Sequence, residues 1–217
     1  GHTRLSIVDV ATGHQPILNP GKSKGIIANG EIYNFRTIRA GLTNKYDFIT
    51  QSDSEIVLHL YQEEGPDCVK QLDGMFAFAL FDDEKRTFML ARDPIGIKPL
   101  YYGYRDEGFY FSSELGAMSL AEVPEVHEFL PGHYFTPEKG FVRYYRVPKI
   151  QDHRLTDISK AREKIRDTFI RSVKKRLLAD PEIPVGAFCS GGLDSSLVAA
   201  IAADEIPNLH TFVVGMK

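Results

Sequence analysis

The sequence predicts two domains of different class. Residues 1–146 read as an α+β part built from antiparallel sheets with a few helices, and residues 157–217 as the opening of an α/β domain with a parallel sheet. Three observations carry this. From residue 74 to 145, short apolar runs are separated by turn residues, as in antiparallel sheets. From residue 158 one long helical periodicity leads into a strand, glycine turn, helix and strand, which together make a right-handed βαβ unit. Between the two parts, residues 147–156 hold a proline and several polar residues and read as a linker.

In chain order, residues 4–9 alternate polar and apolar, the pattern of a half-buried strand, and residues 13–24 supply a turn. Gly21-Lys22-Ser23 has the ending of a Walker A loop, but Pro16 stands where the first glycine belongs and no apolar strand leads in, so a surface hairpin is expected. Residues 25–28 read as a buried strand running into Asn29-Gly30-Glu31-Ile32-Tyr33-Asn34, with Asn34 placed to cap a helix. On pattern alone, Asn29-Gly30 reads as a hairpin turn. Ser52-Asp53-Ser54-Glu55 has capping-box spacing and opens a helix with Ile56, Val57, Leu60 and Tyr61 on one side; in that reading Asp53 is only a first-turn acid. Residues 75–81 and 87–91 flank Asp82-Asp83-Glu84-Lys85 as a hairpin. The two prolines and the glycine of residues 92–102 shape a bent loop, and further short strands are expected at 108–112, 133–135 and 142–145.

Ile158, Ala161, Ile165, Phe169, Val173 and Leu177 recur at helical spacing, and the basic face between Arg162 and Arg176 reads as a solvated surface. Residues 183–189 are an apolar run short enough for a buried strand. Ser190-Gly191-Gly192-Leu193-Asp194-Ser195-Ser196 then opens a helix, and residues 209–214 read as a second strand. Glycines at a helix N-terminus let backbone N–H groups turn toward an anion, and three serines add hydroxyl donors, so a phosphate or pyrophosphate suits this loop. It lacks the lysine of a Walker A loop and offers Asp194 as a magnesium-binding acid. In such sheets ligands sit past the carboxyl ends of the strands, here Cys189 and Val214.

Net charge is −3, from 26 basic and 29 acidic residues spread evenly, so no electrostatic case for nucleic acid or a membrane surface follows. Cys68 and Cys189 are the only cysteines and lack the spacing of a disulfide framework or zinc site. The seven histidines are scattered and read as structural or surface residues. No run approaches a membrane span and no signal-peptide pattern is seen, so a cytoplasmic protein is expected. The chain opens at Gly1 and stops at Lys217 just past a strand, and reads as a fragment.

The loop from Ser190 to Ser196 resembles the pyrophosphate loop of enzymes that adenylate a substrate with ATP. With Pro184-Val185-Gly186 ahead of it and Phe212-Val213-Val214-Gly215-Met216 behind, the segment is similar to the synthetase half of glutamine-dependent asparagine synthetases. Arg4-Leu5-Ser6-Ile7-Val8-Asp9, Asn29-Gly30-Glu31-Ile32-Tyr33-Asn34, Ser52-Asp53-Ser54-Glu55, Gly74-Met75-Phe76-Ala77-Phe78-Ala79 and the loop 92–102 resemble the glutaminase half of that family, in the same order.

The resemblance implies an N-terminal-nucleophile fold, two antiparallel sheets between helices, followed by a doubly wound ATP domain. It implies that Arg4 pairs with the α-carboxylate of glutamine within a binding segment of Arg4, Leu5, Ser6, Ile7 and Val8. Glu31 and Asp53 would hold the α-amino group, and Asn29 with the Gly30 N–H would form an oxyanion hole. Ser190, Gly191, Gly192, Leu193, Asp194, Ser195 and Ser196 would grip ATP, with Cys189 and Val214 beside the adenosine and Asp194 on Mg2+. The implied reaction is a ligase's: glutamine yields ammonia, ATP adenylates aspartate, and ammonia displaces AMP to give asparagine. The expected partners are glutamine, aspartate and ATP, with a homodimer as the assembly. The family's nucleophile is an N-terminal cysteine, which this sequence does not contain, so the isolated chain is expected to be inactive. Two alternatives stay open: a relative acting on another carboxylate, such as a β-lactam-forming enzyme, and a non-catalytic nucleotide- or glutamine-sensing module.

Overall fold

The computed structural model describes residues 2–3, 7–149 and 157–215. The chain divides into two units, Gly1–Pro148 and Lys149–Lys217.

The first unit begins with β1 (Ile17–Leu18) and β2 (Lys24–Ile32), joined by the expected hairpin that carries Gly21-Lys22-Ser23. Helices α1 (Phe35–Leu42) and α2 (Glu55–Glu64) and a 3₁₀ stretch (Gly65–Gln71) follow. The hairpin of β3 (Gly74–Asp82) and β4 (Thr87–Arg92) is where the two apolar runs flanking a charged turn place it. Next come β5 (Tyr101–Arg105), β6 (Gly108–Ser112), α3 (Leu115–Leu120), β7 (Glu125–Glu128), β8 (His133–Thr136) and β9 (Gly140–Arg143). All pairings in this unit are antiparallel, in a six-stranded sheet of order β1-β2-β3-β4-β8-β9 and a three-stranded sheet β6-β5-β7.

The sheets pack face to face through Ala77, Leu90, Leu100, Phe129 and Phe135, with Phe88, Tyr102 and Phe109 against them. Phe109 stacks on Phe135 with ring centroids 4.9 Å apart. Helix α2 packs beside β2, and α3 packs on β5 and β6 with Met118 buried. Sheets flanked by helices are what the resemblance implies.

The bent loop after β4 is organised by Asp93, which is fully buried. Its carboxylate accepts the N–H groups of Ile95 (3.1 Å), Ile97 (3.0 Å), Lys98 (3.0 Å) and Phe76 (3.3 Å). Arg92 closes the loop from the other side, donating to the carbonyls of Lys98, Gly96 and Phe129. Four N–H donors on one buried carboxylate satisfy a segment with no regular partner of its own.

Several expectations are corrected. The part of 4–9 that is described, Ile7 to Asp9, is bent rather than a strand: Asp9 has φ +56° and its carboxylate accepts from the N–H and hydroxyl of Thr12. Asn29-Gly30 is no turn but lies inside β2, opposite Ala77 and Phe76. Asn34 does not cap α1; its amide ties to the backbone of Gln71 and Asp73. The capping box does not form, because Asp53 and Glu55 are committed to other segments. The strand expected at 142–145 lies at Gly140–Arg143, and β7 and α3 were not anticipated.

In the second unit, α4 (Ile158–Lys175) is the expected long helix, capped by Asp157, whose side chain accepts from the N–H groups of Ser159 and Lys160. β10 (Gly186–Phe188), α5 (Leu193–Glu205) and β11 (His210–Phe212) form the βαβ unit with parallel pairing. The strand expected to be buried is exposed, with Phe188 at 81 %. A continuous apolar run signals cover on both faces, and here the sheet has two strands. No helix among the described residues is long and apolar enough to cross a membrane.

Asp93→Ala should lower the stability of the first unit by about 1–3 kcal/mol, since it leaves the buried Phe76 N–H and three part-buried loop donors without their acceptor. All ten tyrosines lie in that unit, so urea unfolding followed by tyrosine fluorescence reads it selectively. A midpoint equal to wild type would show that the loop does not depend on this carboxylate.

Candidate active site

A cavity of about 850 Å³ opens in the first unit, with β2 and β3 on one side, residues 7–8 and 52–54 on a second, and Lys98, Leu100 and residues 111–114 on a third. It brings together Ile7, Val8, Asn29, Gly30, Glu31 and Asp53, which sit on three separate segments of the chain. Arg4, Leu5 and Ser6 lie outside the described residues.

The chemistry of the cavity follows from the edge of β2. β1 covers only Gly25 and Ile26, so from Ile27 onward the edge of β2 turns toward other partners. The N–H of Ala28 donates to Gln15 Oε1 (2.6 Å) and its carbonyl accepts from Gln15 Nε2 (3.0 Å), so one side-chain amide takes the place of a neighbouring strand. The N–H of Ile32 donates to Asp53 Oδ2 at 2.7 Å.

Between them stands Gly30. Its partner across the ladder, Phe76, turns both its N–H and its carbonyl to Asp93 on the far side of β3. Gly30 and Phe76 are therefore a non-hydrogen-bonded pair, and strand alternation directs the Gly30 N–H to the same edge as those of Ala28 and Ile32. Only glycine serves here. Its φ is +142°, and a Cβ would stand 1.9 Å from the Met75 carbonyl oxygen.

Asp53 is buried, and burial pushes its carboxyl above the usual range, while hydrogen bonds from Ile32, Ser54 and Ser52 pull it back only in part. With Glu31 on the same wall, this corner is suited to an ammonium group. The Gly30 N–H, with the Asn29 side-chain amide as neighbour, offers a donor to an oxygen that gains negative charge. Gln15, Lys98, Ser112, Ser113 and Glu114 also line the cavity and escaped the sequence reading. Only Lys98 carried a signal, as part of the proline-bounded loop.

The second candidate site is the turn between β10 and α5. Gly191 has φ +82°, no side chain caps the helix, and the first intrahelical bond runs from Ser196 N–H to the Gly192 carbonyl. The earlier N–H groups of the helix are thus left for an external acceptor. Ser195 Oγ accepts from Ser190 N–H (3.2 Å) and lies 3.1 Å from Ser190 Oγ, which ties the two ends of the turn together. Cys189 N–H donates to the Phe212 carbonyl, so Cys189 and the end of β11 lie side by side, as the strand order requires. Gly191, Gly192, Leu193, Asp194 and Ser196 are exposed and Val214 is 91 % exposed, so these residues form a surface turn rather than an enclosed pocket.

Comparison with known proteins follows the same division. Residues 1–150 match the family described as glutamine amidotransferase domain, and residues 164–217 match asparagine synthase. Among curated proteins, the probable glutamine-hydrolysing asparagine synthetase of Dictyostelium discoideum is 39 % identical over 238 residues, covering 100 % of this chain and 42 % of that protein. Asparagine synthetase B of Escherichia coli K12 is 40 % identical over 231 residues, covering 99 % and 41 %. The chain thus spans about two fifths of the length of these relatives.

Two solved structures are similar in fold. They are the glutamine phosphoribosylpyrophosphate amidotransferase from B. subtilis complexed with ADP and GMP (TM-score 0.53, 19 % identity, 92 % of this chain and 48 % of that one) and the allosteric regulatory enzyme of purine biosynthesis (TM-score 0.57, 20 %, 98 % and 50 %). With an antiparallel sandwich in place and a family match over more than half its length, the chain belongs to the glutamine amidotransferase domain family.

Proposed function

We propose that the first domain, residues 1–146, binds glutamine and releases ammonia from its side-chain amide, and that residues 157–217 belong to a domain in which ATP activates aspartate for conversion to asparagine. The observation that carries the first half is the single cavity in which Asp53, Glu31 and the Gly30 edge of β2 converge. The α-amino group of glutamine sits at Asp53 and Glu31. The side-chain amide lies along β2, so that its oxygen meets the Gly30 N–H and Asn29 as a tetrahedral oxyanion forms. Arg4 takes the α-carboxylate, for which a planar fork donor is suited.

Attack on the amide carbon calls for a nucleophile, and neither cysteine of this sequence serves. Cys68 is fully buried, and burial drives its thiol far above the range in which a thiolate forms; Cys189 belongs to the second unit. The role falls to the N-terminal cysteine that the resemblance implies.

For the second half, the N–H groups and hydroxyls of Ser190 to Ser196 cradle the phosphates of ATP, and Cys189 with Val214 borders the adenosine. Asp194, exposed in the first turn of α5, fits one ligand position of Mg2+, an ion that takes few protein carboxylates and fills its shell from phosphate and water. The ion would offset phosphate charge as pyrophosphate leaves.

Two outcomes test the glutaminase reading. Because burial lifts the Asp53 carboxyl above the ordinary aspartate range and an ammonium ligand needs it charged, glutamine affinity should fall as pH drops, and the fall should begin above the pH at which an exposed aspartate titrates. Asp53→Asn should weaken binding at neutral pH and erase that decline, read by calorimetric titration at several pH values; a decline that survives the substitution would assign it elsewhere. In the full-length protein that carries this chain, Asn29→Ala should cut kcat for glutamine hydrolysis about 10²-fold while synthesis from added ammonia persists. Parallel loss with both nitrogen sources would argue against separate sites.

A further inference from the structure

The segment that delivers Asp53 to the cavity has no regular structure, and its backbone is held by the side chains of Asp9, Thr50 and Glu55. Glu55 is fully buried. Its Oε1 accepts the N–H of Ile49 (2.7 Å), and its Oε2 accepts the N–H (2.7 Å) and the hydroxyl (2.6 Å) of Thr50. Asp9 Oδ2 accepts the N–H of Gln51 at 2.8 Å. Thr50 Oγ1 in turn accepts the N–H of Ser52 at 3.1 Å. Every backbone donor from Ile49 to Ser52 thus ends on a side-chain oxygen, and the next residue is Asp53, bonded to Ile32 across the cavity wall.

Glu55 is itself fixed from behind. His59 Nε2 lies 3.6 Å from its Oε1, and the His59 ring is packed between Tyr46 (4.8 Å) and Phe48 (4.5 Å). Burial alone would push the Glu55 carboxyl up, but the neighbouring His59 ring and hydrogen bonds from Thr50 and Ile49 outweigh it and hold the group below its ordinary value, and so charged. A capping glutamate would reach back to its own helix start. Glu55 reaches outward instead, to the loop that ends at the cavity.

We propose that Glu55 is a positioning residue of the ligand cavity: through Thr50 and Ser52 it sets the place of Asp53, and with it the corner that receives the ligand's ammonium group. The ligand half of this inference rests on the glutamine reading above; the placement of Asp53 does not.

The test has two arms, both run on the chain itself as wild type and Glu55→Gln, which keeps size but loses one acceptor oxygen. In amide exchange followed by NMR, Ile49 and Thr50 should exchange faster. The Ile32 N–H, which touches Asp53 and not Glu55, should also quicken by about tenfold, while the Ile27 and Ala79 pair of the β2–β3 ladder should not change. An Ile32 rate equal to wild type, with Ile49 and Thr50 released, overturns the proposal. In the second arm, L-glutamine should bind Glu55→Gln about tenfold more weakly than wild type, and equal affinity overturns the ligand half. Absence of binding by wild type overturns the glutamine reading, and the exchange of Ile32 still decides whether Glu55 places Asp53. Should Glu55→Gln fail to fold, Thr50→Val removes only the relay hydroxyl, and the same Ile32 rate supports or overturns the proposal.

Discussion

A β-strand whose edge borders a cavity must still find partners for every second N–H and carbonyl, and the first unit is arranged around how β2 meets that demand. β1 answers it for two residues only. Beyond that point the Gln15 amide stands in for a strand at Ala28, and the Asp53 carboxylate does so at Ile32. The donor between them, on Gly30, is left facing the hollow. A longer β1 would have stabilised the sheet and closed the site. The short one leaves a backbone donor preorganised beside two acids, and the loops bearing Gln15 and Asp53 are fixed by what they supply to β2.

Where the physics is local, the sequence reports it well. Two apolar runs flanking a charged turn located β3 and β4 with their hairpin, helical spacing located α4, and the order of apolar run, glycine turn and helix located the βαβ unit. Local rules failed where a distant group took over. Asn29-Gly30 has the composition of a turn, but pairing with β3 on one side and a cavity on the other keep it extended. Ser52 to Glu55 has the spacing of a capping box, but Asp53 accepts from Ile32 across the cavity wall and Glu55 accepts from Ile49 and Thr50 just upstream. β7 is short and polar, with Glu125, His127 and Glu128 at three of its four positions, so no periodicity marks it; it is a strand because β5 is beside it.

The site shows the same split. Asn29, Gly30, Glu31 and Asp53 were identified through resemblance, and the fold brings them to one cavity. Gln15, Lys98 and the residues Ser112 to Glu114 were not, because nothing in their neighbours signals that a sheet, a bent loop and a strand end close on one space. Glu55 is the instructive case. Read along the chain it is a helix-start acid, and its actual partners, Ile49 and Thr50, lie upstream of the cap it was expected to complete.

The room between the two sheets is shaped by residue size along β3. Its inward positions carry Ala77 and Ala79 next to the cavity, while Phe88, Phe109 and Phe135 fill the neighbouring volume with rings. Bulk at either alanine would narrow the hollow without disturbing a single polar contact. The steric limit on what enters and the polar groups that meet it are therefore carried by neighbouring strands, Ala77 and Ala79 on β3 and Asn29 to Glu31 on β2, so a change of size on one strand need not alter the donors and acids of the other.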